Sequence, residues 1–195
     1  MNGRIVGVDE AGRGALAGPV FVAAVLLDEA FPRDILTDSK LLSAEQRTLV
    51  YRQLLASQSV IRVTHCSPAT IDKINIFQAT MRGMHRLITE FPHADVSFVV
   101  DGNHKPRTRK QVQAVVKGDL SVPQVSAASI VAKVLRDAEM VRLDRRFPHY
   151  CFAQHKGYPT ELHYERLDLH GPSAVHRRSF RLWGSRRPLT RNEFE

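Results

Sequence analysis

Cysteine and long apolar runs are scarce in this sequence, and each scarcity excludes a class of protein. Among 195 residues there are two cysteines, Cys66 and Cys151, too far apart in the chain to staple a small fold. Two such thiols are typical of a reducing compartment, so we expect a cytoplasmic protein. The longest apolar run, residues 20–27, is too short for the roughly 20 residues that a membrane span needs. The sequence therefore predicts neither a disulfide-stabilised secreted fold nor a membrane protein.

Acidic residues are missing from two stretches of the chain that are rich in cations. The net formal charge is +8, from 28 Lys and Arg against 20 Asp and Glu. Residues 105–117 contain five cations and residues 177–191 contain six arginines, with no acid in either stretch. Such clusters favour nucleic acid as the partner, although a charge of this size also serves solubility. With 43% hydrophobic and 25% charged residues, the composition is that of one globular domain.

Apolar periodicity and capping residues predict an α/β fold, a mixed β-sheet flanked by helices. Capping residues Ser43, Ser67 and Asn75 each begin a predicted helix. A longer helix is expected over residues 125–145, and residues 156–195 are expected to add a small, basic, helical segment to a main domain of residues 1–155. The apolar runs that predict strands are residues 4–8, 19–27, 60–65, 96–100 and 112–116.

Acidic side chains stand at the ends of three predicted strands. Asp9 and Glu10 end the first strand, Asp101 ends the fourth, and Asp119 follows the fifth. Strand ends of an open α/β sheet can converge in space, and converging carboxylates suit Mg²⁺ or Mn²⁺. Four carboxylates would balance two divalent ions, the arrangement for two-metal hydrolysis of a phosphodiester. Asp101 alone, before a glycine, favours turn chemistry; only the set of acids in a basic protein favours a metal site.

A glycine–arginine–glycine turn, Gly12 to Gly14, follows the first acid pair. Because adjacent strand residues face opposite sides of a sheet, Asp9 and Glu10 can share a site only if the strand ends there, and the glycines favour such a break. A dinucleotide site is excluded, since no crossover helix fits before the next strand. The glycines do permit close approach of backbone amides to a ligand, such as the 2′-hydroxyl that distinguishes RNA from DNA.

Several side chains near the C-terminus are of types that bind sugars, bases or metals, but a structural role can also explain them. Tyr158 suits a core position and stacking on a sugar or base equally well. His149, Cys151 and His155 lack a second pair at zinc-ligand spacing, so no zinc site is expected. His176 precedes two arginines and is expected on a basic surface.

Nine segments of two to thirteen residues together form a pattern that extends along most of the chain. They are VDEAGRG with GP (8–14 and 18–19), DSKL (38–41), VDG (100–102), KGD (117–119), VSAASIVAKVLRD (125–137), KGYPT (156–160), and GP with HRRSF (171–172 and 176–180). In this order they resemble the ribonuclease HII family, the type 2 ribonucleases H of bacteria. The resemblance implies a ribonuclease H-like fold and a metal-dependent endonuclease. Its implied substrates are RNA–DNA hybrids and duplex DNA with embedded ribonucleotides, cut 5′ of the ribonucleotide to leave a 3′-hydroxyl and a 5′-phosphate.

The resemblance also implies site roles and cofactors, position by position. It implies two Mg²⁺ or Mn²⁺ ions during catalysis, bound by the four acids Asp9, Glu10, Asp101 and Asp119. The implied substrate contacts are the 2′-hydroxyl and its flanking phosphates for Gly12, Arg13 and Gly14, the junction sugar for Tyr158, and backbone phosphates for Ser39, Lys40 and Lys133. Asp137 also lies in a matching segment and rivals Asp119 as the fourth acid, but its place near Lys133 and Arg136 on a helix favours an ion-paired structural role.

Two other functions remain open at this point. A non-catalytic clamp would bind nucleic acid through the basic stretches, with no need for a metal. A DNA-only nuclease would use the same carboxylates and ignore a missing 2′-hydroxyl. The glycine–arginine–glycine turn beside the acid pair argues against both. No long amphipathic stretch indicates a protein partner, so a monomer is expected.

Overall fold

The computed structural model describes residues 4–36 and 42–183 as a five-stranded mixed sheet with helices on both faces, which confirms the predicted α/β class. The strands are β1 (Arg4–Ala11), β2 (Val20–Leu26), β3 (Val60–Cys66), β4 (Val96–Asp101) and β5 (Val112–Val115). The helices are α1 (Ala44–Ala56), α2 (Pro68–Ile74), α3 (Ile76–Thr89), α4 (Gly118–Ser121), α5 (Pro123–Arg146), α6 (Phe152–His155) and α7 (Glu161–His170), with a 3-10 turn at Pro148–Tyr150.

Strand β1 lies at the centre of the sheet, and its two neighbours run in opposite directions. The spatial order is β3-β2-β1-β4-β5. β1 is antiparallel to β2 and parallel to β4, and the parallel ladder ends at the pair Val8 and Val100. Asp9 and Asp101 are the next residues on the two strands. They therefore stand side by side at the carboxyl end of the central pair.

Apolar side chains cover both faces of the sheet. On one face Val8 and Phe98 share a buried cluster with Ile88 of α3. On the other face β2 packs against the small residues Ala127 and Ala128 of α5. The alternation along β1 thus directs its even-numbered residues toward α3 and its odd-numbered residues, Asp9 included, toward α5.

Helix α5 approaches β1 closely because β1 has a glycine at position 7. A Cβ on Gly7 would lie 2.0 Å from the carbonyl carbon of Gln124, so no larger residue fits without moving the helix. This contact sets the N-terminal half of α5 across the end of β1. Ser129 and Lys133, further along the same helix, reach the acids at the strand end.

The predicted helix starts are confirmed at their capping residues. Ser43 forms a capping box with Gln46 at α1, and Ser67 and Asn75 accept hydrogen bonds from the first turns of α2 and α3. β1 continues to Ala11, beyond its expected end. The four-residue helices α4 and α6 were not expected from the sequence, because four residues contain too little periodicity to indicate a helix.

After α7 the chain returns to the segment that connects β1 with β2. Ala17 and His176 form a β-bridge, and the backbone N–H of Arg177 donates to the carbonyl oxygen of Leu16 at 2.8 Å. The expectation that His176 lies on a basic surface is wrong. Its side chain is buried against the ring of Tyr150, because the bridge turns it inward while the chain returns.

The two cysteines and the helices of the described residues bear on compartment and membrane placement. Both Cys66 and Cys151 are free thiols. Within residues 4–36 and 42–183, no helix combines the length and the apolar character needed to cross a membrane.

Candidate active site

A pocket at the carboxyl ends of β1 and β4 brings together most of the predicted site residues. Its volume is about 490 Å³. We call it the carboxylate pocket. Its polar and glycine lining comprises Asp9, Glu10, Gly12, Arg13, Gly14, Asp101, Asp119, Ser129, Lys133 and Tyr158. Ser39 and Lys40 lie outside the described residues.

Asp9 is the innermost acid of the pocket. It is 5% exposed, and its Oδ1 accepts the backbone N–H of Glu10 at 2.7 Å. Burial raises the pKa of Asp9 well above its usual value, and the negative charges of Glu10 and Asp101 raise it further. A hydrogen bond from the side chain of Ser129 opposes this rise in pKa. Ionising the carboxyl group of Asp9 therefore costs free energy unless a cation lies nearby.

Glu10 lines the same pocket although β1 does not end beside it. The expectation that Asp9 and Glu10 share a site only if the strand ends at these two acids is wrong, since β1 continues to Ala11. The β1–β4 ladder stops at Val8, so the longer side chain of Glu10 can pass the open edge of β1. Arg13 holds it there, with Nη1 3.2 Å from Oε1. Burial raises the pKa of Glu10, and the charge of Arg13 opposes that rise.

The other two acids come from the end of β4 and from α4, which follows β5. Asp101 ends β4, and its Oδ1 accepts the backbone N–H of Gly118 at 2.7 Å. Lys117 adopts a left-handed conformation with φ of 56°, which turns the chain from β5 into α4. This turn brings the buried Asp119 to the pocket wall. The hydrogen bond between the two segments fixes both acids relative to each other.

Asp137 lies outside the pocket lining, one helical turn beyond Lys133 on α5. Its Oδ1 accepts a hydrogen bond from Lys133 Nζ at 3.0 Å and lies 3.8 Å from Nη1 of Arg136. Lys133 itself lines the pocket. The ion pair therefore fixes the ammonium group of a residue that lines the pocket.

The glycine loop, residues 12–18, is held from behind by a buried arginine. Arg177 is fully buried and donates to the carbonyl oxygens of Gly12 at 2.7 Å, Arg13 at 2.9 Å and Gly18 at 3.0 Å. Burial lowers the pKa of Arg177 to about 9. With its carbonyls facing Arg177, the loop leaves Gly14 exposed at the pocket wall. The sequence places Arg177 in a basic stretch expected to meet nucleic acid at the surface, and its burial corrects that expectation.

Tyr158 is half-buried, and cations from α5 cover its ring. The guanidinium carbon of Arg136 lies 4.8 Å from the ring centroid, and Lys133 Nζ lies 5.3 Å from it. Arg136 is fully buried beneath the glycine loop, where a Cβ on Gly12 would lie 2.3 Å from its Nε. Only glycine fits at position 12, which also has a positive φ of 96°.

Three residues that support the site are not predicted from the sequence. Ser129, Arg136 and Arg177 touch Asp9, Tyr158 and the glycine loop respectively. Each lies inside a segment used for the family resemblance, 125–137 or 176–180. Their place in these segments is the feature of the sequence that could have indicated their role, because nothing in charge or periodicity distinguishes a buried arginine from an exposed one.

The donor set of the pocket fits divalent cations. Four carboxylates face one space, and hard oxygen donors are what Mg²⁺ and Mn²⁺ prefer. In the described part of the chain, no three His, Cys, Asp or Glu side chains are already arranged to hold an ion by themselves. Mg²⁺ commonly uses one or two carboxylates and takes its other oxygens from water and substrate phosphates.

Comparison with known proteins decides the family. The family model described as ribonuclease HII matches residues 6–183. The chain belongs to the ribonuclease HII family. The ribonuclease HII of Nitrosospira multiformis is 51% identical over 176 residues, which cover 90% of this chain and 88% of the relative. That of Shewanella loihica is 48% identical over 183 residues, covering 92% and 88%. The chain is therefore a hydrolytic ribonuclease H enzyme.

Solved structures show that this chain has the ribonuclease H-like fold. The ribonuclease H2 of Pyrococcus horikoshii is similar with a TM-score of 0.73 and 26% identity, covering 92% of this chain and 94% of that one. The ribonuclease HII of Archaeoglobus fulgidus, solved as a complex with PCNA, gives a TM-score of 0.74 and 26% identity, covering 89% and 92%. Bst-RNase HIII, solved in complex with Mn²⁺, shares the fold with a TM-score of 0.69 and 20% identity, covering 92% and 67%.

We predict that Asp9→Asn stabilises the metal-free protein at neutral pH, because it removes a buried charge with a raised pKa. Folding raises the pKa of Asp9, so its charge destabilises the protein above the folded-state pKa and has no effect below the unfolded value. The difference between variant and wild type should therefore shrink as the pH falls. Urea unfolding at several pH values measures it.

The exposed Asp95 provides the control for this prediction. Asp95→Asn should leave the free energy of unfolding within about 0.5 kcal/mol of the wild-type value. A clear loss of stability in Asp9→Asn alone would contradict the account, because it would show that the fold requires the Asp9 charge.

Proposed function

We propose that this chain hydrolyses the phosphodiester on the 5′ side of a ribonucleotide, in RNA–DNA hybrids and at single ribonucleotides in duplex DNA. The products carry a 3′-hydroxyl and a 5′-phosphate. The observation that carries the proposal is one pocket in which four carboxylates, Asp9, Glu10, Asp101 and Asp119, face the exposed backbone of Gly14. The carboxylates supply cation ligands, and the bare backbone beside them supplies contact to a ribose.

Mg²⁺ or Mn²⁺ is the proposed cofactor, held by the same four carboxylates. Two such ions, when bound, activate the attacking water and stabilise the leaving oxygen. The buried Asp9, whose charge interacts with those of Glu10 and Asp101, would be the central residue in holding the ions. Support comes from the oxygen donor set and from the costly negative charge at Asp9. The Mn²⁺ in the solved Bst-RNase HIII is consistent with this choice.

The chain's own cations and glycine loop are proposed to hold the substrate. Lys133 faces the pocket with its ammonium fixed by Asp137, which suits contact with a backbone phosphate. The exposed amide edge at Arg13 and Gly14 suits a hydrogen bond to the 2′-hydroxyl. Tyr158 presents its ring to the sugar at the RNA-to-DNA junction, with cations behind it. The 2′-hydroxyl is recognised and is not the nucleophile, so no cyclic phosphate forms.

The basic stretches are proposed to extend the duplex contact beyond the pocket. Lys105, Arg107 and Arg109 are exposed on the connection between β4 and β5, as is Lys117 at the beginning of α4. Residues 156–195 are proposed as a C-terminal substrate-binding segment next to the catalytic domain of residues 1–155. Ser39 and Lys40 are assigned to phosphate contacts by the family resemblance alone. A monomer in the cytoplasm is the proposed working state.

The direct test is cleavage of a labelled DNA duplex that contains one ribonucleotide, beside an RNA–DNA hybrid and an all-DNA duplex. We expect a cut 5′ of the ribonucleotide with Mg²⁺ or Mn²⁺, no cut with chelator, and no cut in the all-DNA duplex. Asp9→Asn and Asp101→Asn should abolish the cut and retain duplex binding, while Asp95→Asn cuts normally. The upstream product should prime a DNA polymerase, because it ends in a 3′-hydroxyl.

Each contrary result identifies a different function. Salt-sensitive binding without any product would indicate a non-catalytic clamp. Equal cleavage of the all-DNA duplex would indicate a nuclease that does not recognise the 2′-hydroxyl. Cleavage that survives chelation, or a cyclic phosphate end, would contradict the proposed chemistry.

Gly14→Ala tests whether the substrate approaches the glycine loop closely. A Cβ at Gly14 meets no atom within 4 Å, so the substitution leaves the fold intact. It should lower kcat/KM on the ribonucleotide substrate by about tenfold to a hundredfold, because the added methyl displaces the ribose. The thermal midpoint and the affinity for all-DNA duplex serve as controls and should stay at their wild-type values. Unchanged cleavage would place the ribose contact elsewhere.

A further inference from the structure

Three buried histidines lie together beneath Tyr158, outside the carboxylate pocket. His155, His163 and His176 are each less than 9% exposed. The rings of His155 and His163 stack with centroids 4.1 Å apart and planes 16° apart. His163 Nε2 lies 3.0 Å from Nε2 of His176. The proposed chemistry uses none of these imidazoles, so their hydrogen bonds need another explanation.

The partners of His176 and His163 determine where each neutral ring carries its proton. The backbone N–H of Ser173 donates to Nδ1 of His176 at 2.9 Å, so that nitrogen is the acceptor and the proton is on Nε2. His176 Nε2–H must then donate to Nε2 of His163. His163 consequently carries its own proton on Nδ1, which donates to the carbonyl oxygen of Tyr158 at 3.0 Å.

The third histidine holds the residue before Tyr158 in the same way. The backbone N–H of Gly157 donates to Nδ1 of His155 at 3.0 Å, and Nε2–H of His155 donates to the carbonyl oxygen of Tyr150 at 2.7 Å. The N–H of Tyr158 itself donates to the carbonyl oxygen of His155 at 2.9 Å. Hydrogen bonds to His155 and His163 therefore hold the backbone on both sides of Tyr158.

The far end of this hydrogen-bonded chain reaches the glycine loop. His176 is bridged to Ala17, and the next residue, Arg177, donates to the carbonyl oxygens of Gly12, Arg13 and Gly18. The carbonyl oxygen of Gly157 accepts the N–H of Leu16 at 2.8 Å. The histidines thus connect the element that bears the Tyr158 ring with the element that bears the exposed Gly14.

All three imidazoles are suited to stay neutral and keep this arrangement. Burial lowers the pKa of His163 to about 4 and that of His176 to about 3. The ring of Phe152 packs edge-on against His163 at 5.7 Å and tilted against His176 at 5.5 Å, which keeps water from the pair. A neutral pair with one allowed order of donors and acceptors is a rigid connection.

We propose that His163 is a positioning residue that, together with His176, sets the distance between the Tyr158 ring and the glycine loop, and so selects the junction between a ribonucleotide and DNA. This inference rests on the proposed function, since only that function gives Tyr158 a substrate sugar. His163 touches no substrate. It acts through the Tyr158 backbone.

A double-mutant cycle tests the proposal. Tyr158→Ala, His163→Phe and the double variant are compared with the wild type by kcat and KM, on duplex DNA with one ribonucleotide and on a continuous hybrid. His163→Phe should lower kcat on the single ribonucleotide by about tenfold, with little change in KM and a smaller effect on the hybrid. The double variant should be no slower than Tyr158→Ala alone, because both changes remove one function.

Conservative and control variants separate positioning from folding. In His163→Asn the amide nitrogen takes the place of Nδ1 and keeps the donor to Tyr158, so the substrate preference should return toward the wild-type ratio. His170→Phe replaces an exposed histidine of the same helix and should change neither rate. If His163→Phe does not fold, His163→Gln replaces it, since the amide then takes the place of Nε2 and can accept from His176, while no donor remains at the position of Nδ1 to reach the carbonyl oxygen of Tyr158.

A spectroscopic measurement tests the proton positions without any substrate. Long-range ¹H–¹⁵N correlation spectra of histidine-labelled protein should show His163 protonated at Nδ1 and His176 at Nε2. A His163 proton on Nε2 would overturn the inference. So would an additive double-mutant cycle, or an equal loss on both substrates. Absence of cleavage by the wild type would instead overturn the proposed function, and the spectra would still decide the proton positions.

Discussion

The mutual repulsion of carboxylates gathered at one buried strand end is the constraint on which the rest of the structure depends. Asp9 and Asp101 stand side by side because β1 and β4 are parallel and both residues directly follow the last pair of their ladder, Val8 and Val100. Glu10 and the buried Asp119 complete the set. Burial, and after it the negative charges of Glu10 and Asp101, raise the pKa of Asp9, and carboxylates this close favour a cation among them. The fold tolerates this arrangement because strongly packed elements hold each strand end: α5 lies directly on Gly7, and the N–H of Gly118 holds Asp101.

A second set of charges, all positive, stands behind the site and organises what surrounds it. Arg177 and Arg136 are both fully buried, one beneath the carbonyls of the glycine loop and the other beneath the ring of Tyr158. Burying two guanidinium groups costs free energy, which the three carbonyl hydrogen bonds of Arg177 and the face of the Tyr158 ring offset in part. As a result, the glycine loop exposes its backbone at Gly14 on the wall of the pocket.

The strands, helices and acids of this site were easier to predict from the sequence than the buried residues that hold them in place. Capping residues and apolar runs located the strands and most helices, and the acids at strand ends indicated the pocket. The sequence did not predict that Glu10 reaches around a strand that continues, since that depends on where the neighbouring strand stops. Nor did it predict the burial of Arg177 and His176. Both lie in a segment that composition marks as basic surface, and only the return of the chain along Ala17 turns them inward.

The central claim is that the carboxylate pocket accepts divalent cations beside a ribonucleotide. The most direct measurement is the anomalous scattering of Mn²⁺ in crystals of the protein with a duplex that contains one ribonucleotide and a non-hydrolysable phosphate on its 5′ side. The account predicts Mn²⁺ in contact with Asp9 and Asp101, with the ribose against Gly14. Mn²⁺ bound elsewhere, or a pocket that takes the duplex without any Mn²⁺, would contradict it.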